Sequence, residues 1–206
     1  MSAARLALFQ GGFAPMLLCN GLRARTMFDL FREDAQRWLT PGGIGDPAAI
    51  TLTRTMRLLY RHVPLRAMLW FRLGHWCQEQ GLPGLPSLVQ RHLYHRYGLD
   101  IVIGSDIGGG LYIAHPIGTV IAVERIGRNC SIIAAVTLGL RNGRTFPNIG
   151  DDVFIGAGAR ILGGIRVGDG ARIGANAVVI DDVPAGATAV GVPARVLARV
   201  PSADLP

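Results

Sequence analysis

The sequence has no lysine at all: each of its 21 basic residues is an arginine, set against 14 acidic ones for a net charge of +7. Such an excess raises the question of nucleic acid. The arginines are spread along the chain, however, and no reading motif accompanies them, so nucleic-acid binding is not expected. A phosphate-bearing small ligand is the milder use of arginine. Cysteine is also scarce. Cys19, Cys77 and Cys130 are odd in number and lack CxxC spacing, which argues against a disulfide framework or a zinc site and fits a reduced, cytoplasmic setting. No apolar run approaches the length of a membrane span.

Aliphatic residues and glycine are plentiful, and they fall into one pattern. Ile149, Ile155, Ile161, Val167, Ile173 and Val179 recur every six residues, with Gly150, Gly156, Gly168 and Gly174 directly after four of them. The same count runs upstream through Ile101, Ile107 and Ile113, then Val120, Ile126, Ile132 and Leu138. One extra residue precedes Val120, and five extra residues lie between Leu138 and Ile149. Neither the 3.6 of a helix nor the 2.0 of a plain strand yields a strict six, whereas a hexapeptide-repeat parallel β-helix does. Each hexad is read as a short strand and a turn, the aliphatic residue pointing inward; Cys130 falls on an inward position too.

Before the coil, apolar spacing predicts a helical cap over residues 27–99. A first helix spans Met27 to Leu39, and a second region opens at Asp46-Pro47 with Asp46 as N-cap. A third helix spans Pro64 to Gln80, and a fourth Ser87 to Tyr97. Such a cap would cover the open end of the coil. Residues 1–26 are read as a leader, either disordered or lying ahead of a working start at Met27. The coil is expected over 100–184, with 185–206 a Pro/Gly-rich extension and tail.

These pieces resemble the hexapeptide-repeat acyltransferases, most closely the serine O-acetyltransferase branch. The residues that carry the resemblance are Asp46-Pro47-Ala48, Arg72 to Trp76, Asp100-Ile101, His115 with Gly118, Val136 to Gly139, Ile155 to Gly163 and Gly191 to Arg195. It implies a mainly β fold, a left-handed coil of a little over four turns with an N-terminal α-helical cap. It also implies a homotrimer, with acetyl-CoA as co-substrate in the groove between two prisms, and no metal. His115 matches the general base and Asp100 the acid that orients it; Asp46 matches a residue that contacts the acceptor. Gly139, Ala157 and Ala175 match positions that pair with the pantetheine amides, while Arg172 and Arg195 are candidates for the phosphates of CoA.

The residues support this chemistry independently. His115 is the sole histidine of the coil, and a neutral imidazole suits removal of a hydroxyl proton near neutral pH. Taken alone, a corner histidine that only caps a turn is the favoured reading, and the family match is what turns it toward catalysis. Asp100 lies fifteen residues earlier, close to one coil turn, from where it would hold the imidazole tautomer. The five-residue offset makes a loop, Leu140 to Asn148, whose Arg144 and Phe146 are candidates for acceptor binding.

Two positions depart from the family. Ala114 stands where relatives carry an aspartate before the histidine, and Phe146 where they carry a second histidine. The resemblance implies L-serine as acceptor; the departures make a sugar hydroxyl, as in polysaccharide acetylation, or another small alcohol the alternative. The cap is shorter than in long relatives, which favours a trimer over a dimer of trimers. Asp204-Leu205-Pro206 lacks the isoleucine that docks into the sulfhydrylase, so no cysteine-synthase complex is expected. A zinc carbonic anhydrase coil would need three histidines per site and is excluded by having one.

Overall fold

A computed structural model describes residues 25–39, 50–143 and 145–197. The leader before Arg25, Asp46, Arg144 and the tail after Leu197 lie outside the described residues. Four helices come first: α1 (Met27–Gln36), α2 (Leu52–Arg61), α3 (Val63–Glu79) and α4 (Leu85–Tyr97). Thr26 starts α1 through a capping box, its hydroxyl accepting from the Asp29 amide while the Asp29 carboxylate accepts from the Thr26 amide. Thr51 caps α2, accepting from the Arg54 amide. Gly98, at φ +62°, ends α4 in the left-handed conformation and turns the chain into the coil. Among the described residues no helix is long and apolar enough to cross a membrane.

The coil then makes five turns. The first is β1 (Leu99–Ile101), β2 (Asp106–Ile107) and β3 (Tyr112–His115). The second is β4 (Thr119–Ile121), β5 (Arg125–Ile126) and β6 (Ser131–Ala134), and the third β7 (Thr137–Gly139), β8 (Asn148–Ile149) and β9 (Phe154–Ile155). The fourth is β10 (Arg160–Leu162), β11 (Arg166–Val167) and β12 (Arg172–Ile173). The fifth is β13 (Val178–Val179), a bridge at Val183, and β14 (Thr188–Val190). Parallel pairing stacks β1-β4-β7-β10-β13 on a first face, β2-β5-β8-β11 on a second and β3-β6-β9-β12-β14 on a third. The last strand, β15 (Arg195–Leu197), pairs antiparallel with β14 and covers the edge of that face.

Inside the prism the aliphatic residues stack in columns. Ile113, Ile132, Ile155 and Ile173 on the third face are all 0–1% exposed, and Cys130 is fully buried as expected. Full burial of such a side chain is worth about 1.5–3 kcal/mol, so the columns are the main source of the coil's stability.

Two details differ from the count in sixes. Val120 points outward at 36% exposure and Ile121 takes the inward place, pairing with Ile101 and Leu138. The corner after β3 therefore holds two extra residues, and the next corner one fewer. At the far end the coil does not stop near Pro184. Val183 bridges to Val167, and Ala189 of β14 pairs with Ile173, both sixteen residues on instead of eighteen. A turn shortened by two residues breaks the six-count without breaking the stack, so there are five turns where a little over four were expected.

The cap is fastened to the first turn by buried charge. Asp34 of α1 and Arg72 of α3 are paired, and Arg72 also donates to the carbonyls of Ile107 (2.7 Å) and Gly108 (2.6 Å). The amide of Leu111 donates to Asp34 at 2.8 Å. These backbone groups of the top rung have no strand above them, and the cap side chains take that place. A Cβ at Gly109 would run into the Glu33 carboxylate of α1, so glycine there permits the close approach.

Candidate active site at one corner of the coil

His115 ends β3 and is exposed at the corner between the third and first faces. Its carbonyl accepts from the Thr119 hydroxyl at 3.4 Å across the enlarged corner. The Gly118 amide donates to the carbonyl of Gly98 at 2.9 Å, so the corner is pinned to the residue where α4 hands over to β1. Asp100 lies two residues further on in β1 and points out of the first face, half-buried between inward Leu99 and Ile101.

The spacing argument for this pair needs correction. Asp100 pairs with Val120, twenty residues on, and His115 with Ala134, nineteen on. Fifteen residues are thus less than a turn. Asp100 and His115 belong to the same turn, on two faces that meet at the pinned corner. Among the described residues no hydrogen bond joins the two side chains.

Below His115 the corner continues as a column of small residues. His115 pairs with Ala134. The Gly158 amide donates to Ala134 and the Asn176 amide to Ala157, each at 2.8 Å, which brings Ala157 and Ala175 into line beneath the histidine. At the bottom, Arg195 pairs with Val190. Five strand steps of about 4.8 Å put Arg195 roughly 24 Å from the level of His115. Arg172 is exposed on the third face, its guanidinium 4.9 Å from the centre of the Phe154 ring. That stacking leaves its edges open for hydrogen bonds.

Gly139 and Phe146 lie elsewhere. Gly139 ends β7 at the opposite edge of the first face; it is buried and its carbonyl accepts from the Gly163 amide at 2.8 Å, although a Cβ there would meet nothing within 4 Å. The loop bearing Phe146 leaves from the same edge. It is tied back where the Glu124 amide donates to Pro147 at 3.1 Å, and Thr145 rests against Gly164. Within one chain, about five residues of extended strand, roughly 16 Å, separate this edge from the histidine.

Two features at the histidine corner escaped the sequence reading. Ala135 has φ +51°, a conformation that costs an L-residue about 1–2 kcal/mol, and it directly follows the pairing partner of His115. Arg160 clamps that turn, its Nη1 donating to the carbonyls of Ala135 (2.7 Å) and Gly158 (2.9 Å). The signal for Arg160 was present: it immediately precedes inward Ile161 and so must point outward. Nothing in the sequence marks Ala135, since asparagine, aspartate or glycine is the usual occupant of such a position, as at Asn129, Asp152 and Asn176.

Known proteins resemble this chain in sequence and fold. Residues 146–181 match the family described as "Bacterial transferase hexapeptide (six repeats)". The serine acetyltransferase of Helicobacter pylori is 37% identical over 158 residues, covering 75% of this chain and 91% of the relative. This chain belongs to the serine acetyltransferase family. The serine acetyltransferase of Synechococcus elongatus is likewise 37% identical over 158 residues, though there the chain spans only 64% of the relative's length. Among solved structures, Neisseria gonorrhoeae serine acetyltransferase in complex with serine aligns with a TM-score of 0.69 at 35% identity, over 82% of this chain and 68% of that one. A serine acetyltransferase in complex with CoA gives the same score and identity, over 83% and 69%. The fold expected from the sequence, a left-handed parallel β-helix with an N-terminal helical cap, is the fold of this family member.

Proposed function

We propose that the protein is an acetyl-CoA-dependent O-acetyltransferase in which His115 is the general base and L-serine the acceptor. The observation that carries the reading is the placement of the coil's one histidine at the head of the Ala134–Ala157–Ala175 column, in a chain of this family. Small side chains let an extended thioester arm lie close to the backbone there. Arg195 at the foot of the column and Arg172 on the adjoining face supply cations for the phosphates of CoA, and Gly139 is kept as a candidate for the pantetheine amides on sequence grounds.

In the reaction the His115 imidazole takes the acceptor's hydroxyl proton as the oxygen attacks the thioester carbonyl. The tetrahedral intermediate collapses with breakage of the C–S bond. The departing thiolate receives the proton from the imidazolium, leaving the O-acetyl ester and free CoA. Asp100, on the neighbouring face at the same corner, is the group that orients the ring.

The histidine and the Phe146 loop sit on opposite edges of the first face. Packing the edge of one prism beside the other edge of a neighbour would bring them together, which supports a homotrimer with sites between subunits. Asp46 and Arg144 are kept as acceptor-binding candidates on sequence grounds.

A specific observation favours a second reading of the acceptor. Around His115 stand Ala114, Ile117 (75% exposed) and Val120, none of which can pair with the ammonium or carboxylate of serine. A sugar or another small uncharged alcohol makes no such demand. The deciding experiment measures CoA release from acetyl-CoA with L-serine, homoserine, sugars and nucleotide sugars, for the native chain and His115→Ala. Turnover with serine supports the first reading, and turnover only with a sugar the second. Activity untouched by His115→Ala would overturn the mechanism.

A further inference from the structure

Helix α2, Leu52-Thr-Arg-Thr-Met-Arg-Leu-Leu-Tyr-Arg61, carries two surfaces that the acyl-transfer site does not use. Successive helical residues are 100° apart, so Leu52, Met56 and Tyr60 form one stripe. They are 78%, 59% and 85% exposed, and Val63 at the start of α3 continues the apolar surface at 42%. The cap takes the other apolar flank through Leu58, which is 7% exposed. Arg57 and Arg61, both exposed, occupy the arc next to the stripe, and the helix contains no carboxylate. So large an exposed apolar stripe beside a pure arginine arc calls for a partner that is both apolar and anionic.

We infer that α2 docks the protein onto a membrane surface bearing anionic headgroups. The helix would lie in the plane of the interface, with Leu52, Met56 and Tyr60 in the acyl boundary and the arginines at headgroup level. A second copy of the chain fits less well. Two α2 helices packed stripe to stripe would gather Arg57 and Arg61 of both copies with no carboxylate from either helix, a repulsive arrangement. A bilayer of anionic lipid supplies the missing charge.

Vesicle flotation with the full chain tests this. The protein is expected to float with phosphatidylcholine vesicles containing phosphatidylglycerol, less so at high salt, and not with phosphatidylcholine alone. Met56→Glu with Tyr60→Glu should abolish flotation, while CoA release in solution, thermal midpoint and assembly mass by light scattering stay as in the native protein. Arg57→Gln should lower partitioning about fivefold. The inference is overturned if the native protein fails to float with the anionic vesicles. It is equally overturned if the double variant still floats, or if that variant changes the assembly mass, which would make the stripe a contact between copies.

Discussion

Asp34 and Arg72 are separated by 38 residues yet meet in a buried, two-pronged ion pair, Nε to Oδ2 at 2.8 Å and Nη2 to Oδ1 at 3.0 Å. Their side chains are 0% and 2% exposed. Because each also holds backbone groups of the first turn, removing one leaves a buried charge together with orphaned groups, the Ile107 and Gly108 carbonyls for Arg72 or the Leu111 amide for Asp34. Asp34→Asn or Arg72→Met should destabilise the protein by about 3–5 kcal/mol. Urea unfolding checks this. A loss below 1 kcal/mol would mean that the cap is held by its apolar contacts alone.

His115 is exposed, so His115→Ala should leave the urea midpoint near that of the native protein while lowering kcat by about 10²–10⁴. Asp100→Asn should cost less and shift the pH profile of kcat/KM, because it acts through the imidazole. An unchanged profile would reduce Asp100 to a strand residue.

Ala135 offers a test of strain at the site. Ala135→Gly relieves the cost of φ +51° and should stabilise by up to about 1 kcal/mol. If the strained turn presents Ala134 to the acyl arm, the same variant raises KM for acetyl-CoA. Greater stability with unaltered KM would leave the strain without a part in binding.

Crowding the column is the converse. Ala157→Leu places a branched side chain directly in line below His115 and should raise KM for acetyl-CoA roughly tenfold or more. The acceptor's KM should move much less. An equal rise in both would point to a general distortion of the corner.

Cys130 should be chemically silent. Burial pushes its thiol up to about 12, so at pH 8 only about one thiol in ten thousand is ionised. Iodoacetamide should label it in urea and not in the native protein, a difference read directly by mass spectrometry.

The sequence by itself determined the coil, its inward columns from Ile101 to Val179, the helical cap and the candidacy of His115. These follow from composition and period, which are local properties: a strict six admits one repeating backbone, and one histidine among the hexads has no rival. Counting failed where the chain changed its step. The two extra residues before Ile121 and the two missing before Val183 leave the side chains stacked but alter the sequence interval, so only the pairing of neighbouring turns shows which residue points inward.

The site was legible as a set of residues and not as a place. Whether Asp100 lies a turn from His115 or in the same turn depends on the length of each corner. Separating Phe146 and Gly139 from the histidine required knowing at which end of a face each strand stops. Pairs such as Asp34 with Arg72, or Arg160 with the carbonyl of Ala135, join segments that periodicity treats independently. Long-range contacts of this kind depend on how the cap seats on the coil and how its turns stack. That arrangement exists only once the chain has folded.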